Sequence, residues 1–204
     1  MLSFETSPTT LIIVVATSII SIIAFGNESL WRFLALEPFR MKRGREYHAL
    51  LTSGLVHGSY IHLFLNMYVL AMFGPPLEVV LGSQTFLLVY AISLLVGSIY
   101  PFVKYRDNPT YVAIGASGAI SGVVFGFCLF WPMSTLLLFF VLPLPAIIFA
   151  VAYVAYSVFA MKRAEDNIGH EAHLAGGVGG LLATMAFRPD SLGIFWESIS
   201  GFLS

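Results

Sequence analysis

Apolar runs of about twenty residues recur along this 204-residue chain, and no other feature narrows its possible folds as far. A helix needs about 20 apolar residues to cross a hydrocarbon core about 30 Å thick. Six such runs fall near residues 10–26, 60–80, 84–103, 113–132, 142–161 and 171–187, separated by polar or turn-forming punctuation. Composition agrees: 58% of the residues are hydrophobic and only 10% are charged, and mean hydropathy is +0.87. A soluble domain carries about 25% charged residues. The expectation is an all-α polytopic membrane protein, a bundle of six transmembrane helices forming one domain over residues 1–204.

Several function classes drop out. The net charge of -1, with no long basic run, leaves no electrostatic footprint for nucleic acid. Cys128 is the sole cysteine, which rules out an intrachain disulfide and a thiolate-rich metal site. The opening "MLSFETSPTT" has no Lys or Arg and no small-residue cleavage site follows, so the first apolar run reads as a retained span rather than a secretory signal.

Two segments depart from the simple pattern. Residues 27–58 mix Trp31, Phe33, Leu34, Phe39 and Leu50 with five basic residues, which suits an excursion at headgroup depth. Residues 134–146 carry Pro143 and Pro145, which a helix interior does not accommodate, so the fifth span is expected to begin there. Basic residues flank the odd-numbered loops, with Arg188 alone on the other side; positive-inside counting therefore turns the N-terminus outward.

Strongly polar groups inside hydrocarbon are costly, so they are functional candidates. His57, His62 and Asn66 stand at the entry of the second span and Glu78 at its far end. Ser117 and Ser121 are in the fourth, and His170, Glu171 and His173 open the sixth. His62 and Asn66, four apart, share one helical face. Gly118, Gly122 and Gly126 form a stripe that admits a neighbouring helix closely, and Gly176 and Gly180 form a second. If the two stripes pack together, Ser117 and His173 lie at the same end, about a turn before the crossing. A serine needs a base within about 3 Å to act as a nucleophile, and this arrangement supplies one. As interhelical hydrogen bonders the same residues would be ordinary packing groups.

Other chemistries fit less well. "GASGA" brings the second glycine one place too early for the soluble nucleophile elbow. A zincin needs H-E-x-x-H, and "HEAH" is one residue short; no metal is expected. No Asp lies in any span, which removes an aspartyl dyad. No inverted repeat suggests a transporter.

H-x-x-x-N in the second span, G-A-S-G opening the fourth and A-H-x-x-G in the sixth, in that order, resemble the rhomboid intramembrane serine proteases over about residues 45–188. The resemblance implies a six-helix rhomboid-like bundle without cofactor, Ser117 as nucleophile and His173 as general base. It gives His62, Asn66 and the Ser117 N–H as the oxyanion hole, and Glu78 and Gly82 as structural residues. It further implies substrates that are membrane proteins with a transmembrane helix, a bacterial inner-membrane location, an N-terminus in the cytosol, and a gate formed by the fifth span with the loop "MKRAEDNIGHE". Two departures are visible. "EYHALLTS" stands where many members carry Trp-Arg, and Ser121 stands where some carry an aromatic that stacks on the catalytic histidine. His170, Glu171 and Ser121 are then the groups available to support His173. A silent client-binding relative would be expected to have lost the serine or the histidine, and both are present.

Overall fold

A computed structural model describes residues 2–44, 46–138, 142–152, 155 and 169–203. Helix α1 covers Pro8–Phe25, with its proline in the first turn, where a missing N–H costs nothing. Its packing is the reverse of a soluble helix: Thr10, Thr17, Ser21 and Ala24 are buried, while Ile12, Val15, Ile19, Ile22 and Ile23 face outward. Lipid is as apolar as isoleucine, so nothing drives large side chains inward; small and hydroxylic residues let helices approach and bond.

The expected excursion follows as short pieces, α2 (Glu28–Leu34), α3 (Pro38–Met41), α4 (Ala49–Thr52) and a 3-10 turn at Ser53–Leu55. Phe33, Tyr47 and Leu51 remain exposed on it. Helix α5 (Tyr60–Leu81) starts at Ser59, whose hydroxyl accepts the His62 N–H. Helix α6 (Ser83–Tyr105) follows a turn at Gly82, where φ is +76°. Together α1, α5 and α6 are, among the described residues, the three helices long and apolar enough to cross a membrane. The buried Glu78 joins them: its carboxylate accepts the Thr9 and Thr10 N–H groups at 2.8 and 2.7 Å, the Thr10 hydroxyl at 2.6 Å and the Ser83 hydroxyl at 2.7 Å. A glutamate at the start of α1 thus satisfies donors that hydrocarbon could not.

Two spans differ from the sequence expectation. The fourth was expected over 113–132, but α7 is only Ser117–Phe130. At 1.5 Å per residue this helix is about 21 Å long, short of the hydrocarbon thickness. Its approach is not helical because Gly115 takes φ +102° and Ala113 pairs with Leu36 in an isolated antiparallel bridge. Every residue of α7 from Gly118 to Phe130 is buried, so the helix is the core around which the others stand. The second difference concerns 134–146, where a β-hairpin of Thr135–Leu138 and Leu142–Pro145 precedes the helix start. Proline lacks the N–H of a helical bond and is tolerated on an edge strand, and both strands here are edges. Helix begins only at residue 146. The end of the expected fifth span, residues 153, 154 and 156–161, and the gate loop through residue 168 lie outside the described residues. Helix α8 (His170–Phe187) matches the sixth span, and α9 (Ser191–Leu203) is a further helix that the sequence reading did not mark.

Candidate active site

The two glycine stripes meet. A Cβ on Gly176 would run into the Gly118 backbone, and one on Gly180 into the Gly122 backbone, so α7 and α8 touch main chain to main chain. Helix α6 joins the same junction through Gly97, where an added Cβ would lie 2.9 Å from the Ala172 carbonyl and 3.5 Å from both Gly118 Cα and Gly176 Cα. Small residues permit this approach, and van der Waals contact then holds it.

That contact sets the register of the polar residues before it. His173 Nε2 lies 2.5 Å from Ser117 Oγ, and both residues are half-buried. Ser117 is the first residue of α7, so its N–H and its immediate followers have no carbonyl partner within the helix. The helix start also carries partial positive charge there. The loop before it is suspended from the excursion, with the Gly115 N–H donating to the Ser53 carbonyl at 2.9 Å and the Leu36–Ala113 bridge just upstream. The positive φ at Gly115 lets the chain turn directly into α7. A Cβ at that position would press on the His62 ring at 2.8 Å.

His62 and Asn66 stand four apart on α5, with the His62 ring against Gly115. Asn66 is buried and donates from Nδ2 to the His62 carbonyl at 2.9 Å, leaving a second amide hydrogen. The His62 ring stands edge-on to His57 with centroids 4.9 Å apart. His57, fully buried, is fixed from behind: Ser21 donates its one hydrogen to the Leu55 carbonyl at 2.7 Å, so its oxygen must accept from His57 Nδ1 at 2.9 Å. That assigns the tautomer. Nothing in the sequence linked Ser21 to His57, because Ser21 lies on α1 and His57 in the loop before α5, far along the chain.

The three supporting candidates separate. Ser121 donates to the Ser117 carbonyl at 2.8 Å, one turn back along α7. The His170 ring is edge-on to His173 with centroids 6.1 Å apart. Glu171 turns instead toward the end of α6, where Oε2 accepts from Tyr105 OH at 2.8 Å and Oε1 pairs with the Lys104 ammonium. Among the described residues no group of three His, Cys, Asp or Glu is placed to hold a metal ion.

A family model described as Rhomboid domain matches residues 44–190 of this geometry's sequence. The chain belongs to the rhomboid family. It is 37% identical over 137 residues to YdcA, a rhomboid of Bacillus subtilis, covering 67% of this chain and 65% of that protein. It is 32% identical over 192 residues to mitochondrial Rhomboid protein 1 of Saccharomyces cerevisiae, covering 88% of this chain and 54% of the relative. The human mitochondrial presenilin-associated rhomboid-like protein is 33% identical over 144 residues, or 65% of this chain and 36% of that protein. The chain thus spans only part of the length of the rhomboids it matches. It is an integral membrane protein of this family, with a helical polytopic fold.

Proposed function

We propose that this rhomboid is an intramembrane serine endopeptidase with a Ser117–His173 dyad. The observation that carries the reading is the 2.5 Å approach of His173 Nε2 to Ser117 Oγ, a nucleophile and base within hydrogen-bond reach. His173 takes the Ser117 proton as the oxygen attacks a peptide carbonyl, then returns it to the leaving amine. Water hydrolyses the acyl-enzyme in a second passage through the same base. The tetrahedral oxyanion is received by the Ser117 N–H with His62 and Asn66; the His62 ring lies against Gly115, two residues before Ser117, which supports its part in this reading. Such donors contribute a few kcal/mol in a water-poor site.

Substrates are membrane proteins presenting a transmembrane helix that must locally unwind to expose its carbonyl, and access is controlled by the fifth span with the loop "MKRAEDNIGHE", residues 142–171. We place the protein in a bacterial inner membrane with its N-terminus in the cytosol, the family arrangement rather than the one the charge count suggests. Single cysteines at Lys104 and at Arg188, probed with an impermeant thiol reagent, report the orientation. Labelling of Arg188→Cys and protection of Lys104→Cys from outside would reverse it.

The test of the reaction is cleavage of a fluorescently tagged single-span peptide by the purified chain. Ser117→Ala and His173→Ala each abolish turnover, and a fluorophosphonate labels the wild type but not Ser117→Ala. Cleavage that survives both substitutions, or that a chelator alone stops, would overturn the assignment.

A further inference from the structure

The two halves of the proposed dyad arrive on different chain segments, and the described contacts contain a bridge between those segments on the side away from the dyad. Tyr105, at the end of α6, stacks on Tyr111 with ring centroids 3.9 Å apart and planes 11° apart. Tyr111 stands six residues before Ser117, in the strand-like approach to α7. The Tyr105 hydroxyl donates to Glu171 Oε2 at 2.8 Å, and Glu171 stands two residues before His173 in the first turn of α8. Lys104 completes the group by pairing with the other Glu171 oxygen while its ammonium lies 5.0 Å from the Tyr105 ring centroid. Both carboxylate oxygens are therefore engaged, and the Glu171 side chain is only 11% exposed.

We infer that Tyr105 and Glu171 are positioning residues, a clamp that holds the Ser117 approach and the first turn of α8 at one fixed separation. The inference rests on the dyad reading above. Its physical basis is that first turns of helices are the parts most prone to fray, and Glu171 and His173 both stand in the first turn of α8. Gly118 and Gly176 fix the two helices where they cross, but His173 projects from the turn beyond that crossing. A second fixed point outside the dyad converts a pivot into a set distance. The carboxylate faces Lys104 and Tyr105 rather than the His173 ring, so it acts through the backbone of α8 and not on the imidazole.

Loss of the clamp should therefore lower the rate of the chemical step without weakening substrate binding. A misplacement of about 1 Å costs up to about a hundredfold in rate; partial fraying of one turn should cost about tenfold. Tyr105→Phe removes one oxygen and keeps the stack on Tyr111, and Glu171→Gln removes the charge. The experiment measures kcat and KM on the tagged single-span peptide, the rate of fluorophosphonate labelling and the thermal midpoint for wild type, both single variants, the double variant and Ser117→Ala. Each single variant should lose about tenfold in kcat and in labelling rate, with KM within about twofold. The double variant should lose little more than either single one, because both substitutions loosen the same clamp. Wild-type kcat in both single variants, or losses that follow KM or the thermal midpoint instead of kcat, would overturn the clamp while leaving the dyad intact. Should Glu171→Gln fail to fold, Tyr105→Phe decides by the same kcat criterion. Turnover in Ser117→Ala would instead bring down the dyad reading, and the clamp with it.

Discussion

Replacing Gly176 by alanine tests whether main-chain contact between α7 and α8 sets the site geometry. The added Cβ would lie 2.7 Å from the Gly118 carbonyl carbon and 2.9 Å from its Cα. Carbon atoms prefer about 3.5 to 4.0 Å, so the helices must part by about 0.8 Å, since neither wall is a side chain that can swing aside. Ser117 adjoins Gly118, and His173 is one turn before Gly176, so most of that displacement reaches the dyad. The 2.5 Å contact would open to about 3.3 Å, beyond a good hydrogen bond. Overpacking of this kind costs about 1 to 3 kcal/mol, and a shift near 1 Å costs up to about a hundredfold in rate. The assay is turnover of the tagged single-span peptide beside the thermal midpoint. Gly193→Ala in α9, where an added Cβ meets nothing within 4 Å, is the control and should match the wild type or exceed its stability. A Gly176→Ala enzyme with wild-type turnover and an unchanged midpoint would refute the argument.

Other substitutions separate structure from chemistry. Asn66→Ala should lower kcat about ten- to a hundredfold with little change in KM, as removal of an oxyanion donor does, and steady-state kinetics reads the split. Glu78→Ala leaves two backbone N–H groups and two hydroxyls without their acceptor, and should destabilise by about 3 kcal/mol, seen as a lowered thermal midpoint in detergent. Gly115→Ala places a side chain at φ +102° against the His62 ring and should depress fluorophosphonate labelling of Ser117 more than it depresses the midpoint.

Much of the framework was legible in the sequence because membranes impose a narrow rule. Apolar length marked α1, α5, α6 and α8 to within a few residues. The four-residue spacing of Gly118 with Gly122, and of Gly176 with Gly180, identified the faces that meet, since such spacing is a property of one helix alone. The polar residues stood out for their cost in hydrocarbon. The hairpin at Thr135–Leu138 and Leu142–Pro145 was missed because an apolar run with prolines reads equally as a late helix start and as paired edge strands. The shortness of α7 was missed because a bridge from Leu36, far away in the chain, holds its approach extended.

What the sequence determined by itself is therefore the membrane character, the helical faces and the short roster of polar candidates, all of which depend on local periodicity and on the solvent. The sequence named His173 as the partner of Ser117, but their separation belongs to the tertiary structure alone: His173 stands at hydrogen-bond distance, while His170, three residues earlier on α8, stands edge-on to the His173 ring. The same holds for Ser21 beside His57 and for Tyr105 between Tyr111 and Glu171. Periodicity says which way a side chain points from its own helix; the depth at which two helices lock, set here by glycine backbones in contact, says what it reaches.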